Sequence, residues 1–264
     1  MRRMLEIRRQ IPSVRPIGYA TMVFLYLPLM TVLLFSFNRS EDAMVWGGFS
    51  TKWYSTVLHN TDLIRAAKFS LSLAIPSALI ASLLATGLAI GIGVAQSRKM
   101  VALQMLVNAP LVLPEIVTAV GTLTFFSFVH IPLNFTSLLA AHVTLCVPFA
   151  FLPIRSRLRD IDLSIFEAAE DLGASTTRVM FKITAPLLLP AILSATLLAF
   201  IISMDDFLTS LFLSGPSTTT LPLYIFGLLK LGVSPEVNVI SALLLVIPTV
   251  GLLLSLMRLG KKGK

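Results

Sequence analysis

The chain has 264 residues, of which 56% are hydrophobic and only 13% are charged. A soluble domain carries about 25% charged residues, and disorder requires low hydrophobicity, so the composition argues against both. The net charge of +8 fits either nucleic acid or a membrane surface as a partner. The single cysteine, Cys146, excludes an internal disulfide and a multi-cysteine metal site.

Six weakly charged stretches are each long enough to cross a membrane, which takes about 20 apolar residues. Turn-forming residues at 130–134 and 214–217 divide two longer apolar regions. The predicted spans are 17–37, 69–96, 102–128, 137–154, 188–213 and 237–257. The first exceeds the core of a signal peptide and lacks a cleavage site, so a retained helix is predicted.

Lys and Arg residues are distributed unevenly around these spans. With the N-terminus placed in the cytoplasm, sixteen of the twenty-one lie on the cytoplasmic side, as the positive-inside rule requires. The prediction is an all-α, six-span membrane protein with both termini in the cytoplasm. It has a tail at 1–16, a transmembrane domain at 17–257 with an outer segment 39–68 and a cytoplasmic loop 155–187, and a basic tail at 258–264. This topology explains the net charge without nucleic acid.

Sequence patterns typical of enzymes are absent from the chain. It contains no G-x-x-x-x-G-K-[ST] phosphate loop and no H-E-x-x-H pattern, and its three histidines are far apart in sequence. Neither a catalytic residue nor a metal site is predicted. A multi-span protein without such chemistry is typically a transporter, a channel or a scaffold.

The cytoplasmic loop contains a short predicted helix. Ser164 and Glu167 form an S-x-x-E capping box, and Gly173 suits the position that follows a helix end. Isolated helices shorter than about 12–15 residues are marginal in water, so this one needs a partner surface. That surface is either the cytoplasmic ends of its own spans or another protein.

The same loop resembles a motif of ABC importer permeases. Residues 167–186 are similar to the pattern E-A-A-x3-G-x9-I-x-L-P, and they depart from it only at Ala185, where Leu is usual. In that family the short helix is the coupling helix, which docks in a groove of a separate ATP-hydrolysing subunit. The resemblance implies coupling contacts at Ser164, Phe166, Glu167, Ala168, Ala169, Asp171 and Gly173.

Shorter strings along the chain resemble the second permease subunit of spermidine/putrescine importers. They lie at 36–38, 48–49, 51–55, 171–175, 203–206, 215–217, 221–223 and 233–238. The resemblance implies a type I ABC importer permease in the bacterial inner membrane that imports polyamines. It also implies a second homologous permease, two copies of an ATPase subunit holding ATP and magnesium, and an extracytoplasmic substrate-binding protein, with no cofactor on this chain.

Two alternative functions remain at this point. Related permeases for phosphonates, ferric iron or amino-acid-like solutes share much of the scaffold. A self-sufficient channel or ion-coupled transporter needs neither ATP nor a coupling helix. Such transporters often contain inverted repeats, and no convincing repeat is found here.

Three carboxylates fall inside the predicted spans: Glu115, Asp205 and Asp206. An ionisable group there costs at least about 2.5–3.5 kcal/mol, so it usually faces a bundle interior or a wet cavity. Helical rise places Glu115 about 20 Å and Asp205 about 26 Å along their spans. Neighbouring residues in a helix point in different directions, so one aspartate faces the pore while the other caps a helix or pairs with a partner. Carboxylates suit a polycationic solute, but packing carboxylates remain the alternative.

The outer elements carry weaker signals. Trp53 and Tyr54 suit either the interfacial belt or the docking of an external binding protein. Ser234, Pro235 and Glu236 resemble an N-cap, a first-position proline and a first-turn acid that open the last span. Glu236 also lies where it could contact the binding protein.

Overall fold

The computed structural model of the chain describes residues 14–94, 97–162, 164–216, 218–232 and 234–262. Several sequence predictions refer to positions outside this part of the chain. These are most of the N-terminal tail, Ser217, Val233 and the last two residues.

The described residues fold into twelve α-helices, which confirms the all-α prediction. Among them the only β-type pairing is an isolated bridge between Asn38 and Phe49. The helices are α1 (Val14–Phe35), α2 (Lys52–His59), α3 (Thr61–Val94), α4 (Arg98–Asn108), α5 (Glu115–Phe128), α6 (Phe135–Arg159), α7 (Ser164–Asp171), α8 (Thr176–Val179), α9 (Ala185–Asp205), α10 (Leu208–Leu213), α11 (Leu221–Leu231) and α12 (Pro235–Lys262). A 3₁₀ turn, Ala109–Leu111, follows α4, and a π-helical turn, Met180–Thr184, joins α8 to α9.

Four helical segments of the described chain are long and apolar enough to cross a membrane. They are Pro16–Phe35, Thr61–Gly93, Phe135–Arg159 and Thr176–Asp205. The bent pair α4 and α5 passes the same test as one interrupted span, which makes five. The sixth predicted span, 237–257, lies within α12. The count of six and the cytoplasmic position of both termini stay predictions.

The third predicted span, 102–128, is not one continuous helix. The segment ending at Leu111 and the helix beginning at Glu115 are bent by 108°. Pro114 lacks a backbone N–H and disfavours a helical conformation at Leu113, so the helix stops and restarts. The expected depth of about 20 Å along a straight helix is therefore wrong, because Glu115 is the first residue of α5.

The fifth predicted span, 188–213, is also interrupted. α9 ends at Asp205, and Asp206 has an extended backbone, with φ −64° and ψ 119°. The Asp206 carboxylate accepts backbone hydrogen bonds from the first turn of α10, a local arrangement that competes with helix continuation. Both aspartates consequently lie at a helix break rather than within a helix.

Two compact units form the chain, residues 1–64 with 225–264, and residues 65–224. In the first unit, Val57 of α2 is buried together with Val239 and Ile240 of α12. Half-buried Trp53 and Tyr54 pack against this cluster, and α1 packs against α12. The outer segment is thereby attached to a helical core.

In the second unit, α3 carries a stripe of small side chains at helical spacing. Small residues let helix backbones approach closely in a membrane. The stripe and its partners on α6 and α9 are all buried: Ala78, Ala81, Ala85, Ala89, Cys146, Ala150, Ala195 and Ala199. α10 packs against both α5 and α6, so the two helix breaks come together in this unit.

Candidate functional site

The three intramembrane carboxylates meet at one cavity. Its volume is about 260 Å³. Glu115 enters it from the start of α5, and Asp205 and Asp206 from the end of α9. The other wall residues are mostly apolar: Pro110, Leu111, Leu113, Thr118, Leu145, Phe149, Ile201 and Ile202. The helix breaks therefore assemble an acidic site that neither predicted span contains alone.

Asp206 is the buried member of the three. Its Oδ1 accepts a hydrogen bond from Thr209 N at 3.2 Å, and its Oδ2 accepts from Ser210 N at 2.9 Å and Ser210 Oγ at 3.1 Å. His142 Nε2 lies 3.3 Å from the same Oδ2, and both side chains are completely covered. One aspartate was predicted to face the pore and the other to cap a helix or pair with a partner. Asp206 is the one that caps a helix, and the groups it bonds to lie in its own chain.

Asp205 and Glu115 are exposed, in contrast to Asp206. They are the acidic groups that a solute in the cavity can touch. The Glu115 carboxyl shares the wall of this cavity with both aspartates, so it is close enough to feel their charges. Carboxylates this close repel each other unless a proton or a cation lies between them. The arrangement therefore suits a cationic guest.

Sequence reasoning missed His142. It lies within α6, 61 residues before Ser203 in the chain, and its Nδ1 is 2.9 Å from the Ser203 hydroxyl. No local motif links these positions. A search of the spans for ionisable groups that counted histidine with the carboxylates would have singled it out.

The predicted coupling helix is present as α7. It begins at Ser164 and ends at Asp171, and Gly173 has the left-handed φ of +74° predicted for the residue after the helix end. Ala174 N donates to Ala169 O at 3.0 Å, which closes a Schellman motif. At the start, Ser164 N donates to Asp162 Oδ1 at 3.0 Å. The hydrogen bond from Ser164 N holds the pKa of Asp162 below its usual range.

One face of α7 is left uncovered by its own chain. Ala169 is buried and Phe166 is half-buried, whereas Glu167 and Ala168 are exposed and Leu172 is 89% exposed. Ser164, Asp171 and Gly173 are exposed as well. One face of α7 therefore packs on the chain itself, and the opposite face is exposed. The coupling role of these residues stays a prediction.

The candidate docking residues Trp53 and Tyr54 are both half-buried. Trp53 Nε1 donates to Ser40 O at 3.2 Å, and the Tyr54 hydroxyl lies 2.7 Å from Ser36 Oγ. These bonds join α2 to the preceding outer loop. They give both aromatic rings a structural role, while docking stays a prediction.

α12 begins at Pro235, as predicted, and Glu236 is its first-turn acid. The Ser234 side chain does not form the predicted cap, because its hydroxyl is buried without a hydrogen-bond partner in the described part of the chain. Glu236 is half-buried, and its proposed contact with a binding protein stays a prediction.

Comparison with known protein families decides the class of the protein. The family described as the binding-protein-dependent transport system inner membrane component matches residues 14–261. The chain belongs to this family. It is therefore a multi-pass transport component of the inner membrane, as the resemblance of the coupling loop predicted.

Two relatives are similar to the chain in sequence over most of its length. The spermidine/putrescine transport system permease protein PotC of Escherichia coli K12 is 39% identical over 88% of this chain and 89% of its own. The putrescine transport system permease protein PotI of the same strain is 38% identical over 84% and 82%.

Two crystal structures of a bacterial ABC transporter for alginate have similar chains, both 17% identical in sequence. The first has a TM-score of 0.73 over 99% of each chain. The second, in complex with an alginate pentasaccharide-bound periplasmic protein, has a TM-score of 0.71 over 96% of this chain and 95% of that chain. These likenesses confirm the predicted ABC importer permease fold.

Proposed function

We propose that the chain is a permease subunit of an ATP-driven importer for polyamines of the spermidine and putrescine class. The observation that carries the proposal is the 39% identity with PotC over 88% of the chain. The cavity supports it, because exposed Glu115 and Asp205 can replace the water that an ammonium group loses on entering a membrane protein.

The proposed assembly has three kinds of partner besides the lipid bilayer. A second homologous permease completes the pore, and two copies of an ATPase subunit bind ATP and magnesium, so that hydrolysis occurs off this chain. An extracytoplasmic binding protein delivers the solute. The crystal structure of the alginate transporter with its periplasmic protein supports this last partner by analogy of fold.

The proposed mechanism connects the uncovered face of α7 to the acidic cavity. ATP closes the two ATPase subunits, which move α7 through contacts that include Glu167, Ala168 and Asp171. That motion passes along the π-helical turn Met180–Thr184 into α9, whose last residue is Asp205. The pore then opens outward, receives the cation from the binding protein and resets inward.

The charge of the cavity separates this proposal from a transporter for an anionic solute. Alginate is an acidic polysaccharide, and a site with three neighbouring carboxylates repels it. The solute recognised here must instead carry positive charge. A polyamine, with ammonium groups separated by short methylene chains, suits a cavity with an acidic end and apolar walls.

The test is uptake by the reconstituted complex. The four-part transporter would be placed in liposomes with ATP inside, and labelled spermidine, putrescine, phosphonate and ferric ion would be offered with the binding protein. We expect ATP-dependent uptake of the two polyamines alone. Uptake of another solute would overturn the proposed polyamine substrate. Polyamine uptake without ATP or an ATPase subunit would overturn the proposed class of ATP-driven importer.

A further inference from the structure

A row of polar side chains leads from the core of the second unit to the acidic cavity. Ser203 Oγ lies 2.9 Å from His142 Nδ1, and His142 Nε2 lies 3.3 Å from Asp206 Oδ2. Asp206 and Glu115 both line the acidic cavity, and Glu115 is exposed there. These polar side chains come from α5, α6 and α9, and Asp206 lies at the break that follows α9.

The negative charge of Asp206 favours one neutral form of the histidine. With the ring proton on Nε2, this N–H faces Asp206 Oδ2 at 3.3 Å and Ser210 Oγ at 3.4 Å, and Nδ1 accepts the hydroxyl proton of Ser203. Every polar atom of the imidazole is then satisfied without a charge on the ring. A protonated imidazole would instead neutralise Asp206 and place a second charge in a fully covered position, which is costly.

We propose that neutral His142 is a positioning residue that anchors the buried Asp206 carboxylate behind Glu115, so that its negative charge acts on the cation in the cavity. This inference rests on the proposed polyamine function. Asp206 has no exposed side-chain surface, so it acts through its field rather than through contact. The direct contacts to the solute come from Glu115 and Asp205.

The inference makes a prediction about side-chain length at position 142. A glutamine amide reaches as far as Nε2 and presents one donor and one acceptor group without charge, as neutral histidine does. An asparagine amide has the same groups but reaches only as far as Nδ1. His142→Gln therefore preserves the contact with Asp206, and His142→Asn removes it.

The experiment measures polyamine uptake by the reconstituted complex for both variants. We expect His142→Gln to keep the KM within about threefold of the parent, and His142→Asn to raise it about tenfold, since residues in contact are coupled by an amount of this order. The maximal rate per assembled complex should change little in either. A purely structural role would instead lower the amount of assembled complex and the maximal rate together.

A double-mutant cycle provides the control. In an Asp206→Asn background, His142→Asn should raise KM no further, because the group through which it acts has lost its charge. Equal KM values for the two His142 variants, or an undiminished effect of His142→Asn in the Asp206→Asn background, would overturn the inference. If the parent complex transports no polyamine, the proposed function fails instead, so the two failures are distinguishable.

Discussion

The predicted coupling helix α7 and the acidic cavity are built in opposite ways. α7 is eight contiguous residues with its stop signal, Gly173, two positions beyond its end. The carboxylates of the cavity come from two helix breaks, and a histidine from a third helix contacts one of them. Changes in α7 should therefore alter the transmission of motion without altering solute affinity, whereas changes in the cavity should alter affinity first.

The largest effect is expected from Glu167→Lys, which places a positive charge on the uncovered face of α7. Breaking a charged contact in a protein interface costs about 2–5 kcal/mol, so ATP-driven uptake should fall at least about 30-fold. The membrane subunits should still assemble. Co-purification of the ATPase subunit and uptake in liposomes would measure the two effects.

Asp160→Lys is the matched control, because Asp160 is an exposed acid just before α7. It should leave uptake within about twofold, since exposed surface charges contribute little. Equal losses in the two variants would show that charge in the loop, rather than the α7 face, is responsible. A change of KM in Glu167→Lys would contradict the expectation that changes in α7 leave solute affinity unaltered.

The next largest effect is expected in the cavity. Asp205→Asn removes an exposed carboxylate and should raise the KM for spermidine about tenfold, or about 1.4 kcal/mol. The maximal rate and the amount of complex should stay close to the parent values. Glu41→Gln, at an exposed outer position, is the control and should leave KM unchanged. Loss of assembly in proportion to uptake would instead indicate a packing carboxylate.

A smaller effect is expected at the end of α7. Gly173→Ala meets no neighbouring atom, so its only penalty is the left-handed backbone, about 1 kcal/mol. Amide exchange in 164–174 should become roughly fivefold faster.

His130 has a similar φ of +61° after α5. His130→Gly should stabilise the end of α5 by about a few tenths of a kcal/mol and so slow amide exchange there. A change of the exchange rate in the same direction in both variants would contradict this account.

The smallest effect concerns pH. Because Ser164 N holds the pKa of Asp162 below its ordinary value of 3.8, the ionised carboxylate stabilises the start of α7. That contribution is present above the ordinary pKa and is lost as the pH falls through the lowered one. Protection factors of 164–168 should be constant near neutral pH and decline in acid. Asp162→Asn should abolish the decline; an unchanged decline would assign it to another group.

The contrast between the regions also explains what the sequence could predict. α7 is specified by neighbours in sequence, so its start at Ser164 and the left-handed conformation of Gly173 after its end were predicted and are confirmed. The helical class and the family follow from composition and from the loop motif. Both depend on patterns that a single stretch of chain contains.

The geometry of the cavity could not be predicted in the same way. Pro114 was visible in the sequence, but a proline kinks some helices and ends others, and the 108° bend depends on the packing of α5. The end of α9 depends on Asp206 bonding to Thr209 and Ser210, which compete with a continuous helix. The contact of His142 with Asp206 arises only when α6 and α9 pack together.

The helix breaks also divide the work among the three acids. Glu115 begins α5 and Asp206 caps the start of α10, so the positive ends of two helix dipoles already compensate much of their charge. Asp205 is the last residue of α9, at the negative end of a helix. It is the one carboxylate whose charge no helix end offsets. We therefore expect Asp205 to contribute most to direct contact with the cation, while the two partly compensated acids add an attraction weak enough for release.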